Sequence, residues 1–331
     1  MIRIRRVVRI PVVPKALLVV LILSLILLTS CSSGATMDEN ETELRHIALV
    51  APIHAEEQGD AIRLGAEAAA KEYGMVLDYI PLDPSDDEAE QLQAALKVLE
   101  KGSSAILIDP ASEAVLQKLG GQASAADIPV IALNDERMTT GVLSAIAINN
   151  EMAGRKAGEQ LADLLEGRGV VAILRSDRED PDLMAREEGA KSVLSDGIHI
   201  AGGAACGKRE DACWQAAKQL LDRESVDGIL ALDIQASLGA AKEVIRRKAQ
   251  GKIKMVTFGS DLEQLQLLQD GVLHKLVVQN GFSTGYLGVE QAVKVLDGSK
   301  YDKPIVLDTK VIDADNMFWM DNQKVLFPFV K

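Results

Sequence analysis

The chain repeats itself. Gln93–Asp109 (QAALKVLEKGSSAILID) returns as Gln215–Asp233 (QAAKQLLDRESVDGILALD), each reading as an amphipathic helix, a turn and a short apolar strand that ends in aspartate. The two aspartates lie 124 residues apart and the two glutamines 122. The neighbours follow suit. GAEAAAKEYGMVLDYI from Gly65 answers to GAKSVLSDGIHIAGG from Gly189, again at 124, and Val130–Asn134 (VIALN) to Met255–Gly259 (MVTFG), at 125. Three echoes in one order at nearly one offset point to two lobes of the same architecture. A period this long means paired domains and excludes a solenoid of short repeats.

Within each half, apolar strands alternate with amphipathic helices. Strands are expected at 46–51, 75–80, 105–109, 130–134 and 142–148, with helices at 60–73, 87–101 and 113–126 between the first four. A helix over 149–166 follows. The alternation then restarts with strands at 170–175, 198–201, 228–233, 254–259 and 273–279, a last helix at 282–296 and a last strand over Ile305–Ile312. Such alternation predicts α/β lobes, each a parallel sheet covered by helices on both faces.

The ends have their own character. Arg3, Arg5, Arg6, Arg9 and Lys15 precede a thirteen-residue apolar run, Ala16–Leu28. That is short of the roughly 20 residues a membrane span needs and suits the core of a secretory signal. Leu28-Thr29-Ser30-Cys31 then resembles the lipobox of bacterial lipoproteins, so residues 1–31 are expected to be a signal peptide with lipidation at Cys31. A retained N-terminal anchor is the alternative. Residues 32–43 (SSGATMDENETE) are small, polar and acidic, with too few apolar residues for a core, and read as a flexible tether. The formal charge is −13, more negative still without the basic leader, which argues against binding to nucleic acid.

Cys206 and Cys213 are an even pair in an exported body, six residues between them. A disulfide is expected, since the compartment permits it and the spacing lets the chain fold back; two half-buried thiols are the alternative. Four scattered histidines show no metal-ligand spacing, and no cofactor is expected.

From about Arg45 to Ile312 the chain resembles the type I periplasmic solute-binding proteins of the ribose-binding-like group. The resemblance rests on IALV at Ile47, GAEAAAKEYGM at Gly65, ILIDP at Ile106, IPVIALN at Ile128, INNEMAGRKAGEQLA at Ile148, AREEGAKSVL at Ala185, LGAAKEV at Leu238, MVTFG at Met255 and LGVEQAVKVLDG at Leu287. It implies two Rossmann-like lobes joined by three crossings. By analogy the N-terminal lobe takes 44–148 and 281–304, and the C-terminal lobe and tail take 149–280 and 305–331.

In open α/β sheets ligands sit beyond the carboxyl ends of the strands. That nominates the loops after Ala51, Asp109, Asn134, Arg175, Asp233, Gly259 and Gln279. Carried over by resemblance, the ligand-holding positions fall on Glu56, Gln58, Asn134, Asp135, Glu188, Lys208, Asp233, Gly259 and Gln279; His54 and Asp109 are added as strand-end contacts. Only Gln279 keeps the residue of the ribose-type pattern. Asn134-Asp135 stands for Asp-Arg, Glu188 for arginine, Asp233 for asparagine and Gly259 for aspartate. The first loop, PIHAEEQGD from Pro52, lacks the aromatics that stack on a sugar ring. Asp109 and Asp233 could each instead cap the following helix, and Arg186 reads as a helix-face charge.

The expected function is a non-catalytic, lipid-anchored extracytoplasmic protein. It would capture a small polar ligand, a sugar or sugar derivative, between its lobes and present it to an ABC permease. The outer domain of a sensor kinase is the alternative partner, and a monomer is expected. An enzyme is the second class: Gly281-Phe282-Ser283-Thr284-Gly285 matches G-x-S-x-G, but all four histidines precede Ser283, the wrong order for that triad. A DNA-binding repressor is excluded, because a signal peptide occupies the place of its helix-turn-helix.

Overall fold

Two six-stranded sheets carry the echo seen in the sequence. A computed structural model describes residues 45–52, 57–83, 88–194, 197–207 and 209–328, with side chains at all of these but 52 and 57–60. The expected signal peptide with Cys31, the expected tether, His54, Glu56, Lys208 and the Gln58 side chain lie outside the described residues. Arg45–Lys331 forms one compact unit by its internal contacts.

The first half runs β1 (His46–Pro52), α1 (Glu57–Glu72), β2 (Val76–Leu82), α2 (Glu88–Glu100), β3 (Ala105–Ile108), α3 (Glu113–Ala125), β4 (Val130–Leu133) and β5 (Val142–Ile148). After α4 (Asn150–Leu164) the second half repeats it: β6 (Gly169–Arg175), α5 (Pro181–Lys191), β7 (Ile198–Ala205), α6 (Glu210–Arg223), β8 (Gly228–Ala231), α7 (Ile234–Arg246), β9 (Lys254–Phe258), α8 (Leu262–Gln269) and β10 (Lys275–Val278). The chain closes with α9 (Gly281–Leu296), β11 (Ile305–Leu307), β12 (Lys310–Ile312) and α10 (Met320–Leu326). The sheet orders are β11-β5-β4-β3-β1-β2 and β12-β10-β9-β8-β6-β7, one topology twice. Each reverses direction of travel between its first and third strands, β1/β3 and β6/β8, which is where such sheets open a crevice. Every residue of β3, β4 and β8 is buried, as strands covered on both faces must be.

The two halves exchange helices. α9 follows the second sheet but packs on α1 of the first; α4 follows the first sheet but packs on α5 of the second. Both crossings depend on glycine. A Cβ on Gly285 would lie 1.8 Å from the Ile62 carbonyl oxygen, and one on Gly65 would lie 2.0 Å from that of Phe282. At the other crossing, Cβ atoms on Gly154 and Gly189 would lie 2.0 Å and 1.9 Å from the carbonyl oxygens of Arg186 and Glu151. The glycines that mark the repeat, Gly65 and Gly189, are thus the points where helix backbones touch.

One expectation needs correction. The single strand over Ile305–Ile312 is two. β11 pairs in parallel with β5 of the first sheet, and β12 pairs antiparallel with β10 of the second. A lobe boundary at Ile305 therefore falls inside the first sheet. The break lies at Asp308-Thr309, where Asp308 Oδ1 accepts the Thr309 N–H and Lys156 Nζ from α4, and the Thr309 carbonyl accepts the same ammonium, at 2.9, 2.7 and 2.6 Å. This is the third chain crossing between the sheets, after β5–α4 and β10–α9.

Candidate functional site

The carboxyl ends of both sheets face a cleft of about 320 Å³. Of the loops nominated from the sequence, those after β3, β4, β6, β8, β9 and β10 all line it; the loop after β1 lies outside the described residues. The first sheet contributes Asp109 and Asn134, with Ile62 from α1. The second contributes Ser176, Asp233, Gln235, Gly259 and Gln279, with Asp182 and Arg186 from α5. Ile148 and Asn150 line it from the first crossing.

Asn134 adopts φ +56, the left-handed region that asparagine tolerates better than most residues. From there its Nδ2 donates to Asp109 Oδ2 at 2.9 Å. The loop carrying Asp109 is clamped by Gln91 of α2, which donates to the Asp109 carbonyl at 2.8 Å and accepts the Ala111 N–H at 2.6 Å. In the second lobe Asp233 is the N-cap of α7. Its two oxygens accept the Ala236 N–H at 2.9 Å and the Ser176 N–H at 2.6 Å, which ties the loops after β6 and β8 together. Burial pushes the Asp233 pKa up, against the pull of those N–H donors.

Gly259, at φ +114, matches Asn134 in the repeat. A Cβ there would meet Gln264 Oε1 at 2.4 Å and Ile234 Cγ1 at 2.6 Å, so a side chain at this strand end would have to displace both. Buried Gln264 fills the space, donating to the Phe258 carbonyl at 2.9 Å.

Arg186 enters the cleft, although its sequence context suggests a surface charge. Its Nε donates to Asn150 Oδ1 at 2.8 Å and an Nη to the Leu232 carbonyl at 2.9 Å, and the guanidinium lies 4.5 Å from the Phe258 ring centroid. Burial lowers its pKa, opposed by Asp182, Asp180 and Asp233. Asp182, one turn earlier on the same helix face, meets solvent at the mouth of the cleft, yet surrounding protein raises its pKa to about 6, with Asp180 adding repulsion.

Two expected contacts are not brought into the cleft. Glu188 is exposed on α5 and does not line it. Two residues on a helix are separated by about 200°, so the face that carries Arg186 inward turns Glu188 outward. Asp135 is buried, and Arg137 takes its carboxylate in a fork, Nε reaching the two oxygens at 2.8 and 2.9 Å. Asp135 does not line the cleft either.

Sequence reasoning missed Asn150, Ser176, Asp182, Arg186, Gln235 and Phe258. A signal for two of them was available. Asp180 caps α5 and Pro181 opens it, which fixes the helical phase and puts 182 and 186 on one face. Ser176 and Gln235 follow nominated strand ends but could not be told from solvated loop residues.

Cys206 at the end of β7 and Cys213 in α6 are joined by a disulfide, with Cα atoms 4.5 Å apart. Among the described residues no group of three or more His, Cys, Asp or Glu side chains could hold a metal ion. Ser283 lies in the first turn of α9, its N–H donating to Asn280 Oδ1 at 3.1 Å. Its φ is not positive, so the strained turn of a nucleophile elbow is absent at this residue.

Comparison with known proteins agrees with this geometry. A family model described as a periplasmic binding protein domain matches residues 47–300. The chain is 27% identical over 252 residues to the ribose import binding protein RbsB of Haemophilus influenzae, covering 75% of this chain and 84% of that protein. It is 24% identical over 315 residues to RbsB of Bacillus subtilis, covering 90% and 98%. Among solved structures, an ABC transporter solute-binding protein from Agrobacterium vitis bound with α-D-tagatopyranose superposes with a TM-score of 0.78 at 24% identity, covering 85% of this chain and 99% of that one. GanP, a glucose-galactose binding protein from Geobacillus stearothermophilus, gives 0.77 at 23% identity, covering 83% and 99%. With a family match over most of its length and two sheets of one topology around a common cleft, the chain belongs to the periplasmic binding protein domain family and has the two-lobed type I fold.

Proposed function

We propose that the protein captures a sugar or sugar derivative in the interlobe cleft, outside the cytoplasmic membrane, and presents it to an ABC transporter. One observation carries this reading: hydrogen-bonding side chains from both lobes converge on a single cavity at the carboxyl ends of both sheets. A ligand held by both lobes binds the closed arrangement better than the open one, so it shifts the population toward closure. The relatives support the ligand class, being named for ribose, fructose and D-apiose import. Cys31 would carry a lipid that holds the body at the membrane, with residues 32–43 as tether. The lobes act as a non-enzymatic clamp.

A thermal-shift screen of pentoses, hexoses, inositols and polyols tests the reading. A true ligand at 100 times its dissociation constant should stabilise the protein by about 2.7 kcal/mol, and small-angle scattering should show the radius of gyration fall. Absence of a shift across the whole panel would reject sugar binding. For the anchor, Cys31→Ala should release the body from the membrane fraction; unchanged membrane association would favour a retained N-terminal helix.

A further inference from the structure

The described walls of the cleft carry three carboxylates, Asp109, Asp182 and Asp233, and one cation, Arg186. The pair Asp135–Arg137 stands outside this balance, since each neutralises the other. Most of these groups already have work within the protein. Arg186 donates through Nε to Asn150 and through one Nη to Leu232 and lies over Phe258. Both oxygens of Asp233 accept backbone N–H groups, and Asp109 accepts the Asn134 amide.

Asp182 differs. Among the described residues its carboxylate accepts no hydrogen bond and joins no ion pair; only longer-range charges act on it. Its carboxylate stands at the mouth of the cleft without a partner, and the surrounding protein together with Asp180 raises its pKa to about 6. A neutral hydroxyl would satisfy one lone pair there and leave the excess charge. A protonated amine would satisfy both the lone pair and the charge, and would halve the excess of carboxylates over cations on the described walls.

We propose that the ligand carries a protonated amino group that pairs with Asp182, as in an amino sugar or amino polyol. This rests on the reading of the cleft as a sugar site and narrows it. The remaining polar wall (Asn134, Asn150, Gln235 and Gln279) suits hydroxyl groups, and Ile62, Ile148 and Ile234 suit the apolar face of a ring. The charged groups facing Asp182 are Asp180 before it, Arg186 one turn on, and Asp135 and Arg137 across the cleft from the loop after β4. Lowering the pH through about 6 protonates Asp182 and removes the attraction, so the preference for an amine should fade on acidification.

The test is calorimetry and thermal shift of the full-length protein with glucosamine, galactosamine and mannosamine. Each is set against its parent hexose and its N-acetylated form, above and below the pH at which Asp182 titrates. At least one amine should bind about tenfold tighter than both neutral counterparts, the scale of a hydrogen bond to a charged group. That margin should vanish in Asp182→Asn and shrink at the lower pH in the unmodified protein, which reads the same charge should the variant fold poorly. If every amine binds no better than its parent, or the margin survives in both Asp182→Asn and acid, the amine proposal is overturned while sugar binding stands. If neither amines nor neutral sugars bind, both readings fall together.

Discussion

The two lobes place an aspartate at the same strand end and put it to different use. After β3, three residues separate Asp109 from α3, and Ser112 takes the cap, accepting the Val115 N–H at 3.3 Å. After Asp233 the helix starts at once, and Asp233 is itself the cap. Asp109 is thereby left to face the cleft with Asn134, while Asp233 is held by backbone donors. The contrast extends behind the site. In α7, Glu243 is fully buried and accepts from Trp214 Nε1 at 2.9 Å, Arg246 at 2.7 and 2.8 Å, and Arg247 at 2.7 Å. The residue 124 positions earlier is Leu119, equally buried in an apolar cluster. Duplicated topology thus fixes where strands end, and local loop length and core chemistry decide what each end does.

The strongest way to break this comparison is to truncate the two buried helix positions. Glu243→Ala should cost about 3 kcal/mol by stranding the Trp214 indole and releasing two guanidiniums, and Leu119→Ala should cost about the same through its cavity. Only the first should depend on pH. The Arg246 hydrogen bonds, Arg247 and Trp214 hold the Glu243 pKa at about 2, below its ordinary 4.5. A depressed native pKa means the carboxylate's contribution is complete above pH 4.5 and is lost as pH falls through about 2. Urea unfolding of both variants across that range should show the Glu243→Ala deficit close in acid while the Leu119→Ala deficit persists. Parallel behaviour would mean that the ion cluster adds nothing an apolar core would not.

The helix exchange should be symmetric. Gly154→Ala and Gly285→Ala each force a Cβ into a carbonyl oxygen of the facing helix, and each should lose about 2 kcal/mol by overpacking. A large loss at one crossing and none at the other would show that only one lobe relies on close backbone contact. Smaller again are the caps. Asp233→Ala and Ser112→Ala should each cost about 1 kcal/mol, and Asp109→Ala less than either, since Ser112 keeps the cap of α3. Both aspartate variants should still weaken a ligand that bridges the lobes; if only one does, the clamp is one-sided. The smallest effect expected is at the third crossing, where Lys156→Met breaks a pair whose Asp308 side chain is 90% exposed. Stability should move by no more than about 0.5 kcal/mol, leaving any change in ligand affinity attributable to lobe closure.

Much of this was legible in the chain. The two-lobe architecture followed from periodicity and a nearly constant offset, because a parallel α/β unit writes its alternation directly into apolar spacing. The strand ends that line the cleft followed too, since topology alone places them. The single run Ile305–Ile312 did not show its break, because two three-residue strands in different sheets share one apolar pattern with one long strand. Nor did the sequence separate Asp109 from Asp233, or Arg186 from Glu188. Which aspartate caps a helix depends on where the first helical turn closes, and which charge faces inward depends on helical phase and on the neighbour that accepts it. Asn150, the Leu232 carbonyl and the Phe258 ring lie up to 72 positions from Arg186 in the chain and come beside it only when the second lobe has folded. The sequence determined the lobes and their binding edge, because these rest on local hydrophobic pattern; only the tertiary structure decided which charges the edge presents, because burial and partnering are set by residues distant in the chain.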